Sequence, residues 1–382
     1  MSDEIEFIRK SIFRGTSRLE HFLIKEIKEQ PFLIENVLNS RYVNDNLQFD
    51  ELKLTKEELK NLEKICIVAH GSSYHAGLIS KYLMETLADV HVDVQYSSDF
   101  YSFDKKNSLL IAISQSGETT DTLSAVGESI KENITTIGVT NVNNSSLSHN
   151  LSGKIIDIKA GKENAISATK SYTLTLLNII LLTLYIGIAR ETLANKEVTE
   201  YTKYLYKLPE LCQDLIDNQN LIFDLTHNIN KYEHFLYLGR GRVDYPTALE
   251  GALKLKETAY IHGEAINDAS LKHGPIAMID DKFVTISLAT NQETYRKVAE
   301  NIKAINDNKA FTIAIANQGD MRLQELTKHI IYVPAVPELL SPIINVIPLQ
   351  LLAYYMGYQK GLPVDRPRNL VKAVLENDYG LV

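Results

Sequence analysis

Four short segments of this chain carry side chains that could hold an anion or move a proton. In SQSGET, residues 114–119, the hydroxyls of Ser114, Ser116 and Thr119 gather where an apolar run gives way to a helical pattern. A helix start offers N–H groups without intrahelical partners, and hydroxyls add donors without the cost of burying a positive charge. Gly117 allows close backbone approach. These are the parts of a phosphate nest. Plain helix capping draws on the same residue types, but needs fewer of them, and Ser73, at the end of an earlier apolar run, is expected to face the same crevice.

In ALEGALKLKETAYIHGEA, residues 248–265, Glu250, Lys254 and Glu257 fall at i, i+4 and i+7 and share one helix face. A solvated ion-pair ladder has this spacing too. The setting among Ala and Leu positions, with Tyr260, His262 and Glu264 following at once, makes Glu257 a candidate base. His273 in LKHGP precedes Gly274 and Pro275, which places it on a rigid, non-helical turn. There it could donate and accept a proton near neutral pH, as ring opening of a sugar requires. Lys372 in the tail VDRPRNLVKAV is either solvated or, if desolvated, able to attack a carbonyl.

The elements that must position these residues alternate between strand and helix. KICIVAHG reads as a strand running into a Gly-Ser turn at 71–73, followed by the helix YHAGLISKYLMETL. HVDVQY, SLLIAIS (108–114), a helix from Thr119, ITTIGVTN (134–141), KIIDIK (154–159) and a long helix near 167–190 continue the pattern of a parallel α/β sheet. The same grammar then returns: HFLYLGRG, FVTISLATNQET and FTIAIANQG repeat KICIVAHG, LLIAISQSGET and TTIGVTNVN. Gly71 and Gly239 lie 168 positions apart and Ser114 and Ala289 175, so the halves are an internal duplication with a small insertion. The halves differ in chemistry. Ser114, Ser116 and Gly117 face Ala289, Asn291 and Gln292, while the second half alone holds the Lys, Glu and His cluster of 250–273. The expected fold is therefore α/β, with two tandem domains, each a parallel sheet flanked by helices. The expected limits are an N-terminal helical arm over 1–45, a first domain over 46–195, a helical linker over 196–228, a second domain over 229–360 and a tail over 361–382.

Composition narrows the partners. A length of 382 residues with 45% hydrophobic and 23% charged residues suits two globular cores. The net charge of -8 repels polyanions and disfavours nucleic acid. Cys66 and Cys212 stand alone and outside any CxxC, which fits a reducing compartment and neither disulfides nor structural zinc. The acidic start lacks a signal-peptide pattern, so a cytoplasmic location is expected. Residues 171–189 are uncharged, but Ser171, Thr173, Thr175, Asn178 and Thr183 dilute them, and they read as a buried core helix and not as a membrane span. GRGRVD at 239–244 begins like a dinucleotide fingerprint, yet Asp244 occupies the third glycine position. No metal-ligand spacing occurs, and neither metal nor cofactor is expected.

Taken in order, HFLIKEIKEQP, HGSSYHAG, SQSGETTDTL, ATKSY, ALEGALKLKETAYIHGEA, LKHGP, PLQLLAYYMG and DRPRNLVKAV resemble the isomerase module of the glucosamine-6-phosphate synthases, which is built of two sugar-isomerase (SIS) domains. The resemblance spans about His21 to Val374. It implies fructose 6-phosphate or glucosamine 6-phosphate as ligand, with Ser73, Ser114, Gln115, Ser116, Thr119 and Ile166 at the substrate. It implies that Glu257 shuttles a proton between C1 and C2, that His273 assists ring opening from the neighbouring subunit of a homodimer, that Lys372 forms a Schiff base, and that Lys254 supports the enolamine. No cofactor is implied.

The sequence departs from that family at four points. A glutaminase domain is not expected within this length, so ammonia would be expected from solution or a separate glutaminase subunit, or be released by a deaminase. Ala168 replaces a ligand-binding Ser, Val371 an Ala, and Ser270 a Glu three residues before His273. Two other readings are a nitrogen-free hexose-phosphate isomerase and a non-catalytic sugar-phosphate sensor. Retention of Glu257, Lys254, His273 and Lys372 favours the enzyme.

Overall fold

The structure, a computed structural model, describes residues 20–43, 46–101 and 106–372. The first 19 positions of the expected arm and the last ten of the expected tail lie outside them. Two five-stranded parallel sheets form the frame. In the first, β3 (Lys64–Ala69), β4 (His91–Tyr96), β5 (Ser108–Ile113), β6 (Thr135–Thr140) and β7 (Ile155–Asp157) stand in the order β4-β3-β5-β6-β7. In the second, β8 (His234–Gly239), β9 (His262–Asn267), β10 (Phe283–Ala289), β11 (Phe311–Asn317) and β12 (His329–Val333) stand in the order β9-β8-β10-β11-β12. A hairpin of β1 (Tyr42–Val43) and β2 (Asn46–Leu47) precedes both. The identical strand order is what an internal duplication produces, and the two-domain α/β fold expected from the sequence is the fold observed.

Central strands such as β5 are buried throughout, and apolar after Ser108, because helices cover both faces. Helices Gly71–Leu87 and Gly241–Ala259, which follow the first strand of each sheet, pack against one another and join the two domains. Helix Lys170–Ala189 lies against the first of these and Ser341–Gln359 against the second, each buried almost along its whole length. Both are apolar and long enough to cross a membrane, and both are core helices here.

Local boundaries refine the sequence reading. Residues 71–73 are not a turn before a helix; they form its first turn, with Gly71 at φ 54°. The helix expected from Thr119 begins at Thr120, with Thr119 at the N-cap. The arm breaks at Glu29, between helices Phe22–Lys28 and Gln30–Arg41, and Pro31 sits in the first turn of the second, where its missing N–H costs nothing.

Candidate active site

The loop after β5 folds around its own hydroxyls. Ser114 Oγ lies 3.0 Å from Thr119 Oγ1 and accepts from the Gly117 N–H at 3.1 Å, while Ser116 Oγ accepts from the Glu118 N–H at 3.1 Å. Gly117 has φ 68°, and an added Cβ would lie 2.2 Å from Ser145 Oγ, so only glycine fits. Ser72 and Ser73, at the head of helix Gly71–Leu87, close the other side. The crevice thus opens at the carboxyl ends of β3 and β5, the strands between which the chain reverses its direction across the sheet. That is the usual ligand position in an open α/β sheet.

The second domain supplies the ionic side. Helix Gly241–Ala259 directs Glu250, Lys254 and Glu257 toward the first domain. The face that could have been a solvated ladder is sealed, with Glu250 0% and Lys254 1% exposed. Lys254 Nζ donates to Glu257 Oε2 at 2.6 Å and lies 3.4 Å from Glu250 Oε1. Burial alone would lower the lysine's pKa; the two carboxylates outweigh it and hold the ammonium above its ordinary range. Burial likewise pushes the Glu250 carboxyl up, but Lys254, His75 and Ser72 outweigh it and keep the group ionised. His75 Nδ1 lies 2.8 Å from Glu250 Oε2, and Ser72 Oγ donates to Oε1 at 2.9 Å. Glu257 takes a second bond from Ser167 Oγ at 2.7 Å.

The tail forms the third wall. Lys372 Nζ donates to Glu163 Oε2 and to the carbonyl of Ala165, both at 2.6 Å, and lies 3.5 Å from the carbonyl of Ile166. Glu163 is wholly buried; burial would raise its pKa, but the charge and hydrogen bond of Lys372, with bonds from Ser171, hold it below the usual carboxylate range. Asp365 ties three segments together: its carbonyl accepts from Ile166 N–H at 3.0 Å, and its carboxylate accepts from Phe22 and Leu23 N–H at 3.0 and 2.8 Å. The Arg368 N–H donates to Tyr260 Oη at 2.7 Å.

Between these walls lies a cavity of about 190 Å³. Ser73, Ser114, Gln115, Ser116, Thr119, Ile166, Glu257 and Lys372 all line it, and Ala168 and Val371, two of the departures, lie on its wall. Lys254 stands behind Glu257. His273 is elsewhere: it is exposed, off this cavity, and closes a 3-10 helix, Asp268–His273, instead of lying on a non-helical turn. Gly274, at φ 139°, makes the break one residue later. Sequence reasoning missed Glu163 and Ser167, which precede the quoted segment ATKSY, and Ser72 and His75, which lie inside HGSSYHAG.

The SIS domain family model matches residues 58–185 and 228–358. The chain belongs to the SIS domain family. It is 40% identical over 359 residues to the glutamine–fructose-6-phosphate aminotransferase (isomerizing) of Caldanaerobacter subterraneus, covering 93% of this chain and 59% of that protein. The Clostridium acetobutylicum protein of that name gives the same figures for identity and coverage. The chain therefore spans about three fifths of the length of these curated relatives. Among solved structures, the C-terminal domain of glucosamine-fructose-6-phosphate aminotransferase from Francisella tularensis is 32% identical with a TM-score of 0.84, over 92% of this chain and 99% of that one. A glucosamine-6-phosphate deaminase from Thermotoga maritima is 21% identical with a TM-score of 0.70, over 93% of this chain and 99% of that one, and so shares the fold.

Proposed function

We propose that this SIS-domain chain is a cytoplasmic phosphosugar isomerase that interconverts fructose 6-phosphate and glucosamine 6-phosphate with free ammonia. The observation that carries the reading is the single cavity that gathers the hydroxyl loop 114–119, a carboxylate, Glu257, and an amine, Lys372, from two domains and the tail. The names of the relatives that match nearly all of this chain support the substrate class.

In this reading the phosphate rests on Ser73, Ser114, Gln115, Ser116 and Thr119, where hydroxyl and N–H donors replace its water. The backbone of Ile166 borders the sugar. His273 of a partner subunit in a homodimer assists ring opening. Lys372, once its ammonium has given up a proton, adds to the C2 carbonyl of the open ketose and water leaves, giving an imine. Ammonia then adds to the imine carbon and Lys372 departs, leaving the C2 imine of ammonia.

Glu257 takes the proton from C1, the electron pair flows into an enolamine, and the same carboxyl returns the proton to C2. Both hydrogen bonds to Glu257 are made to Oε2, which supports Oε1 as the carrier of the travelling proton in this reading. Lys254, fixed as an ammonium, offsets the charge that builds on the enolamine. The reverse course releases ammonia; in the forward direction ammonia comes from solution or a separate glutaminase subunit.

The test is ammonia release from glucosamine 6-phosphate by the purified chain, with fructose 6-phosphate identified as product, and its absence in Glu257→Gln. Isomerisation of hexose phosphates without nitrogen exchange in either direction would replace this reading by a nitrogen-free isomerase. Binding without any turnover would make the chain a sensor.

A further inference from the structure

A second cavity, in the other domain, is larger than the one just described. A crevice of about 810 Å³, roughly four times the 190 Å³ of the first, opens at the carboxyl ends of β10, β11 and β12. Its wall at Thr290–Glu293 follows β10 as the hydroxyl loop follows β5, so duplication has supplied a second crevice with different chemistry. Ala289 and Asn291 stand where the first domain has Ser114 and Ser116.

Its lining is net acidic. Glu293, Asp320 and Glu338 line it against one cation, Arg322. That cation is spent: Arg322 donates through Nε to Asp320 Oδ1 at 2.9 Å and through Nη2 to Oδ2 at 2.7 Å, and lies 3.7 Å from the centre of the Tyr295 ring. Two carboxylates remain uncompensated, and a phosphate would be repelled. Glu338 accepts from Asn291 Nδ2 at 2.7 Å and from Tyr82 Oη at 2.9 Å. The crevice also has an unsatisfied acceptor. Asn345 is 1% exposed, its Nδ2 donates to Thr290 Oγ1 at 2.9 Å, and its Oδ1 has no hydrogen-bond partner. A buried amide oxygen left so is destabilising, and a bound donor would recover that cost.

We propose that this crevice binds a small cation rich in hydrogen-bond donors, a primary amine on a hydroxylated frame, with its ammonium on Glu338 and a donor on Asn345 Oδ1. The phosphate-bearing sugar of the first site is excluded by charge. Glu338 also joins the two sites, because Tyr82 stands on helix Gly71–Leu87, whose first turn carries Ser72 and Ser73.

The experiment is calorimetric titration of the full chain near pH 7 with glucosamine hydrochloride, and with N-acetylglucosamine, which keeps the frame without the charge. Saturable binding of glucosamine is expected, at least tenfold weaker in Glu338→Gln and in Asn345→Leu, unchanged in Glu257→Gln, and at least tenfold weaker for N-acetylglucosamine. Glu293→Gln, at an exposed side chain, gives a milder loss of the same sign and guards against misfolding of the buried variants. Absence of saturable binding overturns the proposal. So does binding that survives Glu338→Gln but is lost in Glu257→Gln, which returns the ligand to the first cavity, or equal affinity for N-acetylglucosamine, which removes the ammonium from the recognition.

Discussion

Replacing Gly117 by alanine tests the phosphate loop through its backbone, without removing any hydroxyl. At φ 68° the new side chain must hold a left-handed conformation, which costs about 1–2 kcal/mol. Its Cβ would also fall 2.2 Å from Ser145 Oγ and 2.5 Å from Ser145 Cβ. Ser145 is buried and caps helix Ser146–Asn150, so it cannot swing away without exposing the Ser148 N–H it holds. Overpacking of this kind adds about 1–3 kcal/mol, for a total of roughly 2–5 kcal/mol. The protein can relieve part of this by shifting residues 114–119, which displaces the donors of the nest.

Gly127→Ala is the internal control: Gly127 lies inside helix Thr120–Lys131 with nothing within 4 Å of an added Cβ, and helix propensity there favours alanine by about 1 kcal/mol. Urea unfolding of both variants, with calorimetric affinity for fructose 6-phosphate, should show Gly117→Ala destabilised and binding at least tenfold more weakly, while Gly127→Ala is neutral or better. A cost below about 0.5 kcal/mol for Gly117→Ala, with unaltered affinity, would refute the reasoning, since that is the range of ordinary surface changes.

Glu257→Gln should slow solvent deuterium exchange at C2, followed by NMR, by about 10²–10⁴-fold. Affinity should stay within a few fold, because Lys254 keeps Glu250 at 3.4 Å and Ser72 Oγ at 3.3 Å; equal losses of exchange and binding would make Glu257 structural. Lys372→Ala should abolish any adduct trapped by borohydride, and a persisting adduct assigns the imine to another lysine. Glu26 gives a pH signature. It is buried, accepts from the N–H groups of Asn164 and Ala165 and neighbours Glu163 and Lys170, and burial pushes its pKa from 4.5 up to about 7. The folded state then binds this proton more tightly than the unfolded chain, so the stabilisation is full below 4.5 and lost as pH rises through about 7, at most about 3 kcal/mol. Glu26→Gln should flatten the parent's decline in unfolding free energy between about pH 5 and pH 8; parallel profiles would mean that Glu26 does not titrate there.

Part of the candidate site was legible because it is local. Ser114 to Thr119 lie within six residues at a strand end, and Glu250, Lys254 and Glu257 share a face by helical period alone. The duplication was legible as well, and the two sheets repeat one strand order. His273 was placed less well: a Gly-Pro pair marks a break, but whether the residue before it ends a 3-10 helix depends on backbone bonds that spacing does not record. Ser72 and His75 sat within HGSSYHAG without being singled out, since nothing local distinguishes them from other residues in the first turns of a helix.

By itself the sequence determined the fold class, the repeat, the hydroxyl nest and the shared face of three ionisable residues, all of which follow from periodicity and from contacts between near neighbours. Tertiary structure alone decided which charges are buried and what they face. Ser167 meets Glu257 across 90 residues, Ser72 meets Glu250 across 178, and Lys372 meets Glu163 across 209. Such meetings depend on how helices of two domains and a tail pack, and it is their desolvation, not their order in the chain, that turns an ion-pair ladder into a site.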